Sequence, residues 1–86
     1  MIEDRFLKLK QEFYNSLPYN EYLYTDHWRM VRQLVLQRDD RECLFCGKRT
    51  TLQIHHNTYD HRGVEEFHLD DLITVCSRCH KKIHKL

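Results

Sequence analysis

Residues 72–84 read LITVCSRCHKKIH. The first five are rich in β-branched side chains and predict a short strand. The remainder predicts a short final helix with a basic outer face. Cys76 and Cys79 stand where one element gives way to the other. His80 and His84 are four residues apart, so on a helix both imidazoles lie on one face and reach a single metal ion.

Upstream, CLFCGK at residues 43–48 is a second tight Cys-x-x-Cys turn, followed by glycine. Two such knuckles predict a tetrahedral structural zinc on Cys43, Cys46, Cys76 and Cys79. Four thiolates close the site, so its role is to hold the fold rather than to catalyse. The 29 residues between the knuckles leave room for a hairpin. A set made of Cys43, Cys46, His80 and His84 fits less well. Cys46 and His80 are too far apart for a standard finger, and Cys76 and Cys79 would be idle.

LQIHH at residues 52–56 alternates as a strand does. Neighbouring side chains on a strand face opposite ways, so His55 and His56 have different surroundings. One of them, turned toward the final helix, completes a three-histidine site with His80 and His84 and leaves a position for water or phosphate. The other, just off the metal, acts as a base. A metal can stabilise charge developing on phosphate while a neutral imidazole takes a proton from water. Residues 57–70 are polar, contain Gly63, and form a loop.

The N-terminal half is helical. Ile2, Phe6, Leu9 and Phe13 recur at steps of four, three and four, an apolar stripe expected to pack on the domain. Pro18 and Asn20 mark a break. Thr25 or Asp26 caps a second helix, which buries Trp28, Val31 and Val35 and ends near residues 38–40. Arg29, Arg32 and Arg38 read as its solvated sides.

With 86 residues the chain is sized for one domain with one modest core, for which a staple is expected. The hydrophobic share is 41% and the charged share 31%, a globular balance. No apolar run approaches membrane-spanning length, and MIEDRFLKLK lacks a signal-peptide core, so a cytoplasmic location is expected. In a reducing compartment, cysteines at these spacings are metal ligands rather than disulfides. A net charge of +1 means that any affinity for nucleic acid comes from a local patch and a metal.

Taken together, YLYTDHW, VRQLVLQRD, CLFCG, LQIHHNTY, G-V-E, DDLITVCSRCH and IH resemble the small HNH nucleases of the ββα-metal family that are common in bacteriophages. The resemblance runs from about Tyr22 to His84. It implies an α+β fold, two N-terminal helices packed on a zinc-stapled ββα unit, with residues 1–42 and 43–86 forming one nuclease domain. It places His55, His80 and His84 on a catalytic divalent ion (zinc, nickel, cobalt, manganese or magnesium). His56 falls at the general base and Asp71 at the family's central asparagine. Ionised Asp71 accepts hydrogen bonds but cannot donate the amide's N–H, so it is expected to hold a histidine instead; Asp70 takes its place if the register slips by one.

The implied activity is hydrolysis of phosphodiester bonds in double-stranded DNA. Lys48, Arg78, Lys81 and Lys82 would contact backbone phosphates, and Tyr59 and Arg62 would touch substrate from the loop. Partners in phage DNA packaging fit the same resemblance. The alternatives are a non-catalytic zinc module that binds DNA and a metal-stapled protein-interaction domain.

Overall fold

Two five-residue strands carry the site: β1 (Leu52–His56) and β2 (Leu72–Cys76) pair antiparallel, with His55 opposite Ile73 and His56 opposite Leu72. They belong to a computed structural model that describes residues 4–85. Around them the chain forms α1 (Asp4–Asn15), a one-turn α2 (Tyr19–Tyr22), α3 (Asp26–Arg38) and α4 (Ser77–Ile83). The α+β architecture is as expected, with α2 a turn of helix just beyond the Pro18 break.

Two small cores pack on the sheet. Tyr22, Trp28, Val31, Val35 and Leu72 are buried together, with Tyr14, Ile54 and Leu69 packed against them. Cys43, Val75 and Cys76 form the second, joined by Leu52, Ile73, Cys79 and Ile83. Leu72 and Ile73 thus belong to different cores, while Leu52 and Cys76, paired at the far end of the sheet, both join the second. The helices α1 to α3 serve the first core and α4 the second.

Side-chain bonds fix both ends of α3, and those at its C-terminus tie it to the sheet. Thr25 is the N-cap: its hydroxyl accepts from the Trp28 amide at 3.1 Å. At the other end Arg38 donates to the carbonyls of Leu69 (2.7 Å) and Leu72 (2.6 Å), and Asp39 Oδ2 accepts from the Thr74 amide at 3.0 Å. Arg38 is thus exposed, as expected of a solvated side, and also clamps β2. The expectation holds better for Arg29, an exposed side chain paired with Asp26.

The apolar stripe of α1 does not pack as expected. Phe6, Leu9 and Phe13 are 56%, 60% and 62% exposed; Ile2 lies outside the described residues. The helix docks instead through another side. Tyr14 joins the core, Lys10 pairs with Glu66 at 2.6 Å, and Gln11 donates to the Asp60 carbonyl at 2.7 Å. Gly63 sits against this side with φ +97. A Cβ there would stand 3.1 Å from Gln11 Cα and Tyr14 Cβ, so the loop approaches the helix as closely as glycine allows. The adjacent polar anchors Lys10 and Gln11 set the docking angle beside Tyr14, and the apolar residues face out.

Candidate metal centres and the two histidines

The knuckles converge. The sulfurs of Cys43, Cys46, Cys76 and Cys79 all lie within 4.8 Å of one another, as free thiols. Cys46 and Cys76 stand 3.7 Å apart. Four sulfurs each about 2.3 Å from one tetrahedral ion would be about 3.8 Å apart, so the arrangement fits such an ion. Gly47 turns the first knuckle with φ +75, and its amide donates to the Cys43 carbonyl at 2.9 Å. Burial opposes ionisation of Cys43, but the backbone amides of Cys76, Cys46 and Phe45 outweigh it and bring the thiol down to about 6. Hydrogen bonding with Cys76, then burial, pushes Cys79 up to about 12. Four crowded sulfurs do not ionise together without a cation between them.

A second cluster lies on the α4 side of the sheet. One ring nitrogen each from His55, His80 and His84 comes within 4.8 Å of the others. Ring centroids are 5.2 Å apart for His55 and His80, 5.5 Å for His55 and His84, and 4.5 Å for His80 and His84. The Nε2 atoms of His80 and His84 are 3.0 Å apart. Nitrogens about 2.0–2.1 Å from a shared ion stand about 3.0–3.4 Å apart, depending on the angle, so this pair also fits one ion.

The cluster is prepared for that role. His80 Nδ1–H donates to Gln53 Oε1 at 2.5 Å, which leaves the Nε2 lone pair free to face inward. Burial first, then mutual repulsion with neighbouring imidazoles, lowers the pKa of His55 and of His80. Lowered values favour the neutral ring, the form that binds metal. Gln53 was not singled out in the sequence; the signal available was its place two residues before His55, on the same face of β1.

His56 turns the other way and is buried. Its ring stacks on Trp28 (4.9 Å) and on Tyr59 (4.8 Å). Nε2–H donates to Glu65 Oε2 at 3.2 Å, and Nδ1 lies 3.3 Å from the Tyr19 hydroxyl. Only 1% of its side chain is exposed. This geometry departs from the sequence expectation. A base must reach the attacking water, and here both nitrogens are engaged under two aromatic rings. The two histidines do have separate surroundings: His55 faces two imidazoles, and His56 a carboxylate, a hydroxyl and two aromatic rings.

Behind His56 lies a network that the sequence did not reveal. Glu65, also 1% exposed, accepts from the Tyr22 hydroxyl at 2.6 Å and from the Gly63 amide at 2.7 Å. Burial works against its charge, but hydrogen bonds from His56, Tyr22 and backbone amides prevail and lower its pKa. Beyond it, His27 lies 3.0 Å from Tyr22 and 2.8 Å from Glu66, which Lys10 also reaches. The G-V-E motif of the resemblance contains Glu65, but a glutamate within VEEF looks no different when it is solvated, so nothing in the sequence marked it as buried.

Asp71 holds a histidine, though not one named from the sequence. Its Oδ2 lies 2.6 Å from His61 Nδ1, and His61 stacks on His68 with ring centroids 3.6 Å apart. Asp70 is exposed. Arg62 is turned inward, which corrects its reading as a DNA contact. It donates to the Leu17 carbonyl at 2.6 Å, and its guanidinium lies over the rings of Tyr22 (4.9 Å) and Tyr19 (5.4 Å). Lys48, Arg78, Lys81 and Lys82 are exposed, as phosphate contacts must be, and so is Tyr59. Among the described residues no helix is long and apolar enough to cross a membrane.

A family model described as HNH endonuclease matches residues 43–86, the segment that holds both knuckles, both strands and α4. Searches of curated proteins and of solved structures give no match.

Proposed function

Because the chain belongs to the HNH endonuclease family, by a match over residues 43–86, we propose that it is a metal-dependent nuclease acting on double-stranded DNA. The observation that carries this reading is the convergence of His55, His80 and His84, separate from the four cysteines. Two clusters with different donors suit different tasks. Four thiolates enclose a structural zinc and leave it no open position. Three imidazoles leave room for substrate. A divalent ion held there would supply positive charge beside the phosphate oxygens.

The chain's own residues do the rest. Gln53 fixes the His80 ring so that its lone pair points into the cluster. Arg78, Lys81 and Lys82 project from the same short helix that carries His80. Their contacts with phosphate would be independent of sequence and weakened by salt. Lys48, just past the first knuckle, extends the basic surface. A cytoplasmic setting suits the free thiols.

The test is nicking of supercoiled plasmid by zinc-loaded protein, with zinc, nickel, cobalt, manganese or magnesium added. Wild type should nick, and His84→Ala should need more added ion for the same rate while keeping its cysteine-bound zinc. Equal rates at limiting ion would remove His84 from the site. A second reading, a non-catalytic module that binds DNA, is favoured by the burial of His56. It predicts stoichiometric DNA binding with no nicking under any of these ions.

A further inference from the structure

The helix α1 has two distinct long faces. Leu7, Lys10, Gln11 and Tyr14 are half-buried and form the docked side. Phe6, Leu9 and Phe13 lie about a third of a turn away and are each more than half exposed. Lys10 stands between the two faces, with its ammonium 6.0 Å from the ring centroid of Phe67, itself half exposed. The three rings and the leucine together offer on the order of 400 Å² of apolar surface, the size of patch that is often functional on a monomer.

The steps of three and four that join Phe6, Leu9 and Phe13 are those of a coiled-coil seam. In that frame Arg5 and Glu12 occupy equivalent positions, one heptad apart on the same flank of the seam, and carry opposite charges. Both side chains are exposed. When two copies of α1 pack antiparallel with Phe6 opposite Leu9, each Arg5 comes beside Glu12 of the other copy. Two-fold symmetry makes this contact twice. Packed parallel, Arg5 would come beside Lys10 of the other copy, a like charge. The charge pattern therefore complements the same helix in reverse.

We propose that a second copy of the chain docks on this face, as an antiparallel two-fold pair of α1 helices. The pair buries on the order of 800 Å² in total, below the standard interface of about 1,200–2,000 Å². It is thus a weak pair, strengthened when DNA holds two copies close together. Neither metal cluster draws a residue from α1, so pairing leaves both in place. The consequence for cutting rests on the nuclease reading above. A two-fold protein matches the two-fold symmetry of duplex DNA, and the pair brings one metal centre for each strand.

The experiment follows association of zinc-loaded, full-length protein by sedimentation velocity, alone and on a short duplex. It compares wild type, Leu9→Glu, Arg5→Glu, Glu12→Arg and an equal mixture of the last two. Melting curves and zinc content check the folds, which changes at exposed positions leave intact. Wild type should pair as concentration rises, and more readily on DNA. Leu9→Glu should stay monomeric, because it sets like charges in the seam. Each charge reversal alone should weaken pairing about tenfold, since both flanking contacts become like-charged. The mixture should recover wild-type pairing, since each chain then meets its complement. With manganese, wild type should convert plasmid to the linear form, while Leu9→Glu should stop at the nicked circle. A wild type that stays monomeric up to about 1 mM with and without DNA overturns the proposal and leaves the nuclease reading intact. So does pairing that survives Leu9→Glu, pairing that mixing fails to restore, or a monomer that uses the stripe to bind anionic vesicles. Pairing that obeys the charge reversals, with no nicking under any ion, supports the docking face and removes the nuclease reading.

Discussion

On the α4 side of the sheet, His55 meets two other imidazoles across open space. On the α3 side, one residue along, His56 lies between Trp28 and Tyr59 and donates to a buried carboxylate. The first arrangement leaves donor atoms facing one another, and a cation held there would relieve it. The second leaves nothing to relieve, since each nitrogen already has a partner. A strand one residue wide in register thus separates a binding surface from a buried support. The lesson is that adjacent identical residues take their chemistry from the core each one faces.

The comparison can be broken most severely at the cysteines, because both faces hang from them. Cys76→Ser should leave the C-terminal half unfolded. Zinc binding in small domains contributes about 10–16 kcal/mol, as much as a whole domain's stability of about 5–15 kcal/mol. Circular dichroism and metal analysis check this; a folded, zinc-free variant would contradict it.

Glu65→Gln tests the buried face and should cost about 1–3 kcal/mol at neutral pH, by loss of charge-assisted hydrogen bonds. The sign of its pH dependence follows from the lowered pKa of Glu65. The unfolded chain protonates this carboxyl first. The carboxylate's contribution is therefore complete above the ordinary glutamate range and is lost as pH falls through the lower folded value. Stability of wild type and variant should converge in that acid window. Urea melts of both proteins across pH read the difference, to which any acid loss of zinc is common.

Gln53→Ala sharpens the open face with a smaller effect. Removing the partner of a metal-binding imidazole typically lowers metal affinity about 10–100-fold. Cobalt titration of the histidine cluster should show that weakening with little change in melting temperature. Unchanged affinity would mean that the His80 tautomer is set by something other than Gln53.

Local spacing made much of this molecule legible. Cys43, Cys46, Cys76 and Cys79 announce themselves by two-residue gaps, His80 and His84 by a helical step, and LQIHH and LITVC by strand composition. Trp28, Val31 and Val35 gave the face of α3, and Thr25 its cap. What stayed hidden depends on contacts between distant segments. Arg38 clamps carbonyls 31 and 34 residues away, and Arg62 reaches back 45 residues to Leu17. Neither side chain differs in sequence from one in solvent. The stripe of α1 misled for the same reason. Its apolar period is real, but Lys10 and Gln11 found partners in the loop and turned Phe6, Leu9 and Phe13 outward. His61 and Asp71, ten residues apart across a loop, carry no periodic signal at all.

The central claim is that alternation gives His55 to the metal and His56 to the fold. The most direct test measures two quantities, urea stability and cobalt uptake at the histidine cluster, on His55→Ala and His56→Ala with zinc held on the cysteines. His55→Ala should lose most of its cobalt affinity and change stability by less than about 1 kcal/mol, as expected away from a core. His56→Ala should lose about 3–5 kcal/mol, because it leaves Glu65 buried without its partner. Its folded fraction should still take up cobalt. The account is contradicted if His56→Ala is as stable as wild type and cannot bind the ion, or if the two variants lose both properties alike.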